Sequence, residues 1–262
     1  MPVITATHGG LLAAVVDGRE VGRVRVRPGT SGITELYVDP AHRGRGYGSR
    51  LVAAAERRLR AQGRSRADVE LPGPDSGFFE RLGYGVVAQQ RARELAGASA
   101  AEGVGLVTLA DPGRRLAALV DEYALDLQED EHLTPGAARH TAERRLAELR
   151  NPHDHMCTVT ARGAEVGWAW IGPPRRAYPG MGWLFQIEID EPYRGRGFGT
   201  RALTAVQGRM RDQGLSRIGL DVHGANTRAR RLYDRLGFAV TAQQMVKDLR
   251  GSRPARTTVG AC

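Results

Sequence analysis

The chain has 262 residues, 41% hydrophobic and 26% charged, enough apolar mass for one large or two ordinary packed domains and not the composition of a disordered chain. The net charge of +9 comes almost wholly from arginine, with Lys247 the only lysine, and these arginines spread over both halves without a zinc finger or an aromatic RNA-binding strand, so no nucleic-acid partner is expected. No apolar run approaches the roughly 20 residues that cross a bilayer, the first residues lack a signal-peptide pattern, and Cys157 and Cys262 suggest neither a disulfide framework nor a metal site; a cytoplasmic protein without a membrane or metal partner is the expectation.

In chain order, residues 11–16, the turn Asp17-Gly18-Arg19-Glu20 and residues 21–26 predict a hairpin. Residues 36–38 form a strand that leads into Arg43-Gly44-Arg45-Gly46-Tyr47-Gly48 and then a helix. Residues 94–103 are rich in Ala, Gly and Ser and predict a linker. Beyond it, residues 104–110 alternate like a strand, and Asp111-Pro112 starts a helix expected to run through Ala124. A second helix is expected over 136–150 after Thr134-Pro135, then strands over 156–160, 166–171 and 183–189. A helix over 197–212 stops at Gly214; a strand (218–222), a helix (227–236) and a last strand (238–246) follow. Residues 251–262 show no periodicity and are expected to fray.

One pattern occurs twice. Residues 35–63 (ELYVDPAHRGRGYGSRLVAAAERRLRAQG) and 188–214 (EIDEPYRGRGFGTRALTAVQGRMRDQG) match, and each is followed by a related ending, FFERLGY at 78–84 and LYDRLGF at 232–238. A period of half the chain is a duplicated domain, not a short-repeat solenoid. The expected division is a degenerate N-terminal domain over 1–98, a complete one over 104–250 and a flexible tail over 251–262. No amphipathic helix pair precedes the first hairpin, so the first copy is the shorter.

The glycine loops carry chemistry. Glycines let backbone N–H groups approach a ligand, the following helix N-terminus offers free N–H donors and a positive dipole end, and the arginines add charge; together these suit a pyrophosphate. A Walker loop needs a Gly-Lys-Ser/Thr ending that is absent, and a dinucleotide fingerprint has a different spacing and lies early in its unit. Arg-Gly-x-Gly-x-Gly before a helix resembles the coenzyme A loop of the GNAT acyltransferases. The resemblance covers about residues 104–249 and a shortened 11–95, and is strongest over IEIDEPYRGRGFGTRAL…GLDVHGANTRARRLYDRLGF. The tandem layout is similar, in architecture alone, to mycothiol synthase.

The resemblance implies an α/β (α+β) fold: tandem GNAT domains, each a mixed, mostly antiparallel sheet flanked by helices, with the strands around the loop splayed to admit pantetheine. It implies acetyl transfer from acetyl-CoA, as cosubstrate, to a primary amine of a small molecule or a peptide N-terminus, through a ternary complex. Coenzyme A would contact Ile187, Ile189, Arg194, Gly195, Arg196, Gly197, Phe198, Gly199, Thr200 and Asn226, and in the first copy Arg43, Gly44, Arg45, Gly46 and Gly48. Tyr233 would protonate the leaving thiolate. Three residues compete as base: Glu188 on the strand entering the loop, Asp221 on the next strand, and His223 on the same face as Asp221. The first copy has Phe79 in place of Tyr233 and only Pro72 near the Asn226 position, so it is expected to be structural or regulatory. Asp126, Glu129, Asp130 and Glu131 between the first two helices of the second copy would attract a cationic amine or simply form a solvated turn; Trp168, Trp170 and Trp183 are core residues, or one floors the acceptor pocket. The rival from another class is a non-catalytic acyl-CoA sensor, and the partners open to the chain include a second copy, as a homodimer.

Overall fold

A computed structural model describes residues 3–6, 8–95, 103–131, 133–174 and 178–250. In chain order it forms β1 (Val3–Ala6), β2 (Leu11–Val16), β3 (Arg19–Val26), β4 (Gly32–Val38), α1 (Tyr47–Ala61), β5 (Arg66–Pro72), α2 (Gly77–Glu80), β6 (Gly85–Glu94), β7 (Gly105–Thr108), α3 (Gly113–Glu131), α4 (Pro135–Leu149), β8 (His155–Ala161), β9 (Ala164–Gly172), β10 (Met181–Ile189), α5 (Phe198–Asp212), β11 (Arg217–His223), α6 (Thr227–Arg235) and β12 (Ala239–Asp248). Two short 3-10 turns, Pro40–His42 and Glu191–Tyr193, lead into the glycine loops.

The expected mixed α/β class and helix–strand order hold, with local differences. β1 adds a strand ahead of the hairpin, pairing antiparallel with β2 from Val3↔Val15 to Ala6↔Leu12. α3 continues seven residues past Ala124 to Glu131, because Val120, Ala124 and Leu127 keep one apolar face packed on Ala138 and Ala142 of α4. Asp126 and Glu129 are therefore on the last turns of a helix, not on a turn between helices. The expected linker and tail lie almost wholly outside the described residues, although β6 runs to Glu94 and the Leu95 N–H donates to the Ser216 carbonyl (2.8 Å).

The chain divides into two compact units. The first comprises Met1–Gln90, Val222–Arg230 and Val240–Cys262; the second comprises Arg91–Asp221 and Arg231–Ala239. In the first, the strand order is β1-β2-β3-β4-β5-β12, with residues 85–90 of β6 next to β12. β12 pairs antiparallel with β5 along its length, from Ala242↔Pro72 to Asp248↔Arg66. The core joins Val24, Leu51, Leu59, Val69 and Phe79 with Met245 and Leu249 from the end of the chain. In the second unit the order is β11-β10-β9-β8-β7, with residues 91–94 of β6 beside β11. Trp168, Trp170, Leu203, Met210, Ile218 and Leu220 are its most deeply buried side chains, and Ala92 of β6 packs with Met181 and Trp183.

Candidate active site

Both units build the same local geometry around a glycine loop. In the second unit β10 and β11 run parallel and pair only from Met181↔Arg217 to Leu184↔Leu220. The register against β9 then slips between Leu184 and Gln186, and no pairing with β11 continues over the last part of β10. A bulge of this kind re-aims a strand, so Ile187, Glu188 and Ile189 leave their parallel neighbour and present edge groups. In the first unit β4 and β5 pair in parallel only at Gly32↔Asp68 and Ile33↔Val69. A register shift against β3 follows, and there Glu35 takes a positive φ of 52°. Arg25 Nε donates to Glu35 Oε1 (2.7 Å), which holds the distorted residue.

Past each strand an aspartate, Asp39 or Asp190, opens a 3-10 turn. The first arginine of each loop then folds back: Arg43 Nε donates to the Val38 carbonyl (3.1 Å) and Arg194 Nε to the Ile189 carbonyl (2.8 Å). These arginines lock the strand exit in addition to supplying charge. Asp190 is gripped by both Nη atoms of Arg115 from α3 (2.6 and 2.9 Å), and that pairing raises the guanidinium pKa further. Helices α1 and α5 start from Gly46 and Gly197, left-handed at φ 78° and 77°, with no side chain capping the first turn. A Cβ at either glycine would meet nothing within 4 Å. An uncapped helix start behind an open glycine loop is an arrangement suited to an anion. Arg201 closes one side, donating to the Arg196 carbonyl (3.0 Å) and lying 4.6 Å over the Phe198 ring.

In the first unit the loop opens on a cavity of about 500 Å³ lined by Leu36, Val38, Arg43, Gly46, Phe78 and Arg81, among others. Two of the candidate positions differ in this copy. Phe79 stands where the second copy has Tyr233, as the sequence indicates, and by the spacing of the two loops Tyr37 stands where it has Glu188.

In the second unit Glu188 accepts from Trp168 Nε1 (2.9 Å) and lies 3.5 Å from Arg194 Nη2. Glu122 of α3 joins this group. Its pKa is raised by burial first, then by the charges of Glu188 and Asp126, against a smaller lowering by Arg194. The sequence reading missed Glu122; its spacing of four residues from Asp126 on one helix was the available signal. The three tryptophans are 1–2% exposed, with Trp170 Nε1 donating to Asp154 (2.9 Å) and Trp183 stacked on Tyr178, so they are core. Tyr233 is 7% exposed and rests against Phe238 at 5.4 Å. Burial pushes its phenol up to about 12, while the charge of Arg91 pulls it down. Asp221 is exposed on β11 in the second unit. His223 and Asn226 fall in the first unit, where Asn226 Oδ1 accepts from the Ala229 N–H (3.0 Å) and fixes the start of α6. The structure thus gathers Glu188, Arg194, Trp168 and Glu122 around one strand exit.

A parallel strand pair that parts beside a glycine-opened helix defines the GNAT class of fold. The description "Acetyltransferase (GNAT) family" matches residues 116–238 and "Acetyltransferase (GNAT) domain" matches residues 7–86. The chain is 31% identical over 236 residues to the mycothiol acetyltransferase of Rhodococcus jostii (strain RHA1), covering 84% of this chain and 76% of that protein. It is 32% identical over 102 residues to the uncharacterized N-acetyltransferase YycN of Bacillus subtilis (strain 168), covering 38% of this chain and 65% of that one. A solved GCN5-related N-acetyltransferase from Sphaerobacter thermophilus shares the fold with a TM-score of 0.50 at 21% identity, covering 94% of this chain and 82% of that chain. The chain belongs to the GNAT N-acetyltransferases, as a tandem member with two GNAT domains. Among the described residues no helix is long and apolar enough to cross a membrane.

Proposed function

We propose that the second unit transfers an acetyl group from acetyl-CoA to a primary amine in a ternary complex. The observation that carries this reading is the parting of β10 from β11 directly before the uncapped start of α5. The opened strand edge offers backbone groups to an extended pantetheine arm, and the helix start together with Arg196 receives the pyrophosphate. Glu188 is the base. Its two donors orient the carboxylate at the strand exit and leave acceptor capacity for a proton from the ammonium, directly or through a water. Asp221 is the second candidate, from the neighbouring strand. Tyr233 is the acid: with a phenol pushed up to about 12 it holds its proton at neutral pH and can donate it to the departing thiolate. Glu122 and Asp126, close enough in charge to act on one another, make the approach favourable for a cation.

The acceptor is a small-molecule amine or a peptide N-terminus, and mycothiol lacking its acetyl group belongs in any test panel because a relative matched over most of the chain is a mycothiol acetyltransferase. Incubation of an amine panel with acetyl-CoA, read by mass spectrometry, is expected to yield acetylated product. Glu188→Gln and Tyr233→Phe are each expected to lower turnover about 100-fold, the size of one general acid or base contribution. Unchanged turnover in either variant would remove that residue's role.

The first unit supports a different task. It has the open loop and a cavity of about 500 Å³, but Phe79 and Tyr37 at the positions of acid and base. It binds acetyl-CoA without turning it over.

A further inference from the structure

The two repeats continue in register past the LGY and LGF endings. AQQRAREL (88–95) matches AQQMVKDL (242–249), so β6 and β12 are equivalent strands and Arg91 is the counterpart of Met245. They are also exchanged. β12, from the second repeat, is hydrogen-bonded into the first unit, and β6 carries its residues from Arg91 onward into the second unit. Each unit therefore pairs one repeat's ring position with the other repeat's strand. In the first unit the combination is Phe79 with Met245, both in one apolar core. In the second unit the residues at these positions are Tyr233 and Arg91, linked through Asp234. Where the ring carries no hydroxyl the strand offers a methionine, and where it carries one the strand offers a cation.

Arg91 is 2% exposed, an uncommon place for a guanidinium. Its Nη1 donates to Oδ1 of Asp234, the residue after Tyr233 on α6, at 2.5 Å. The strand that bears it is seated by the Leu95–Ser216 backbone bond (2.8 Å) and the Glu94–Arg217 ion pair (3.0 Å). Strand exchange alone does not require this residue, since the equivalent exchanged strand manages with Met245.

We infer that Arg91 is a positioning residue for the acid step: fixed to Asp234, the residue after Tyr233, it holds a buried cation at the turn of α6 that carries the acid and lowers the barrier to protonating the leaving thiolate. The inference rests on the proposed role of Tyr233 as the acid. As the carbon–sulfur bond of the tetrahedral intermediate breaks, sulfur takes the phenolic proton and Tyr233 becomes a phenolate, which regains a proton from solvent before the next turnover. A phenolate in an apolar setting is expensive, and a fixed cation is present before the charge develops. The Arg91 charge also lowers the pKa of the Tyr233 phenol, against the larger effect of burial. The catalytic step of the second repeat thus depends on a residue encoded in the first.

The test is a double-mutant cycle on the full chain, with acetyl-CoA and the panel amine acetylated fastest. Arg91→Met installs the residue that the equivalent strand already carries, which favours folding; Arg91→Lys keeps the charge if Met does not fold. The expected results are a fall in kcat of about 10-fold for Arg91→Met, with little change in KM for acetyl-CoA, and recovery to within about 3-fold of wild type in Arg91→Lys. In the Tyr233→Phe background, Arg91→Met is expected to cause no further loss. A purely structural Arg91 would instead add its loss in both backgrounds, or leave kcat unchanged, and either result overturns the inference while the role of Tyr233 stands. Full activity in Tyr233→Phe, or no panel amine acetylated, removes the functional reading and this inference with it.

Discussion

Phe79 and Tyr84 meet edge-on at 5.3 Å in the first unit, and Tyr233 and Phe238 meet tilted at 5.4 Å in the second. These are equivalent ring pairs with the hydroxyl moved from one ring to the other. In the first unit Tyr84 donates to Glu56 (3.2 Å), which also accepts from Lys247 (3.0 and 3.1 Å). Burial and the Glu56 charge hold the Tyr84 phenol far above its usual range, so this hydroxyl serves a structural network. The position equivalent to Glu56 is Gln207, buried and uncharged in the second unit, so the proposed acid Tyr233 has no carboxylate at that position. Charge placement also sets stability here. The folded-state pKa of Glu122 is raised above its ordinary 4.5, by burial and then by Glu188 and Asp126, so the folded chain binds this proton more tightly than the unfolded one. Its contribution to stability is then present below pH 4.5 and is lost as pH rises through the folded-state value. Glu122→Gln should therefore melt at a higher temperature than wild type at pH 7, with the gain vanishing as pH falls below 4.5; thermal melts across that range check it, and a pH-independent difference would show that Glu122 acts otherwise.

At the scale of elements, the loop and its helix form the proposed coenzyme-binding module, and the geometry occurs twice. Gly46 and Gly197 sit in the left-handed region with nothing near the missing Cβ. Alanine at either place would meet no clash, only the conformational penalty of about 1–2 kcal/mol for an L-residue there. Calorimetric titration is expected to find two acetyl-CoA per chain, with Gly197→Ala weakening one site and raising KM, and Gly46→Ala weakening the other without touching turnover. A single site in wild type would count against ligand binding by the first unit. Much of this was legible in sequence. Arg-Gly-x-Gly-x-Gly announces its backbone need through residue type, and most strands and helices announce themselves by period and by glycine or proline at their ends. The bulges were not legible. Glu35 adopts φ 52° without being a glycine, and its distortion depends on Arg25 from a neighbouring strand. α3 outlasts its sequence signal because its last turns are held by α4 packing, which exists only once the helices meet.

At the scale of the whole molecule, duplication and composition of the units do not coincide. The chain crosses between units after Gln90, Asp221, Arg230 and Ala239. Hydrophobic period gives a strand's faces but not its partner, so equivalent strands such as β6 and β12 carry nothing in their pattern that says which sheet they join. For the same reason Arg91 is inconspicuous in sequence: without its partner strand it reads as one more arginine among 37. Particular side chains decide the matter in the structure. Met245 and Leu249 enter the core of the first unit, the only lysine of the chain pairs with buried Glu56, the Leu249 N–H donates to the Ser65 carbonyl (2.7 Å), and Arg60 Nε donates to the Leu249 carbonyl (3.1 Å). β12 covers β5, which would otherwise lose its antiparallel partner. A chain stopped after Ala239 should therefore damage the first unit, although every residue removed belongs to the second repeat. Hydrogen exchange is the measurement: amides of β5, β4 and α1 are expected to lose protection, because Glu56 loses Lys247 and the core loses two buried side chains. Loss of Lys247 alone, as Lys247→Met, strips a partner from the buried carboxylate and should weaken the same unit, by less than the roughly 3–5 kcal/mol of a fully buried pair because Arg60 and Tyr84 still face Glu56. If β5 amides keep full protection in the shortened chain, the exchanged strand is not what holds the first sheet together.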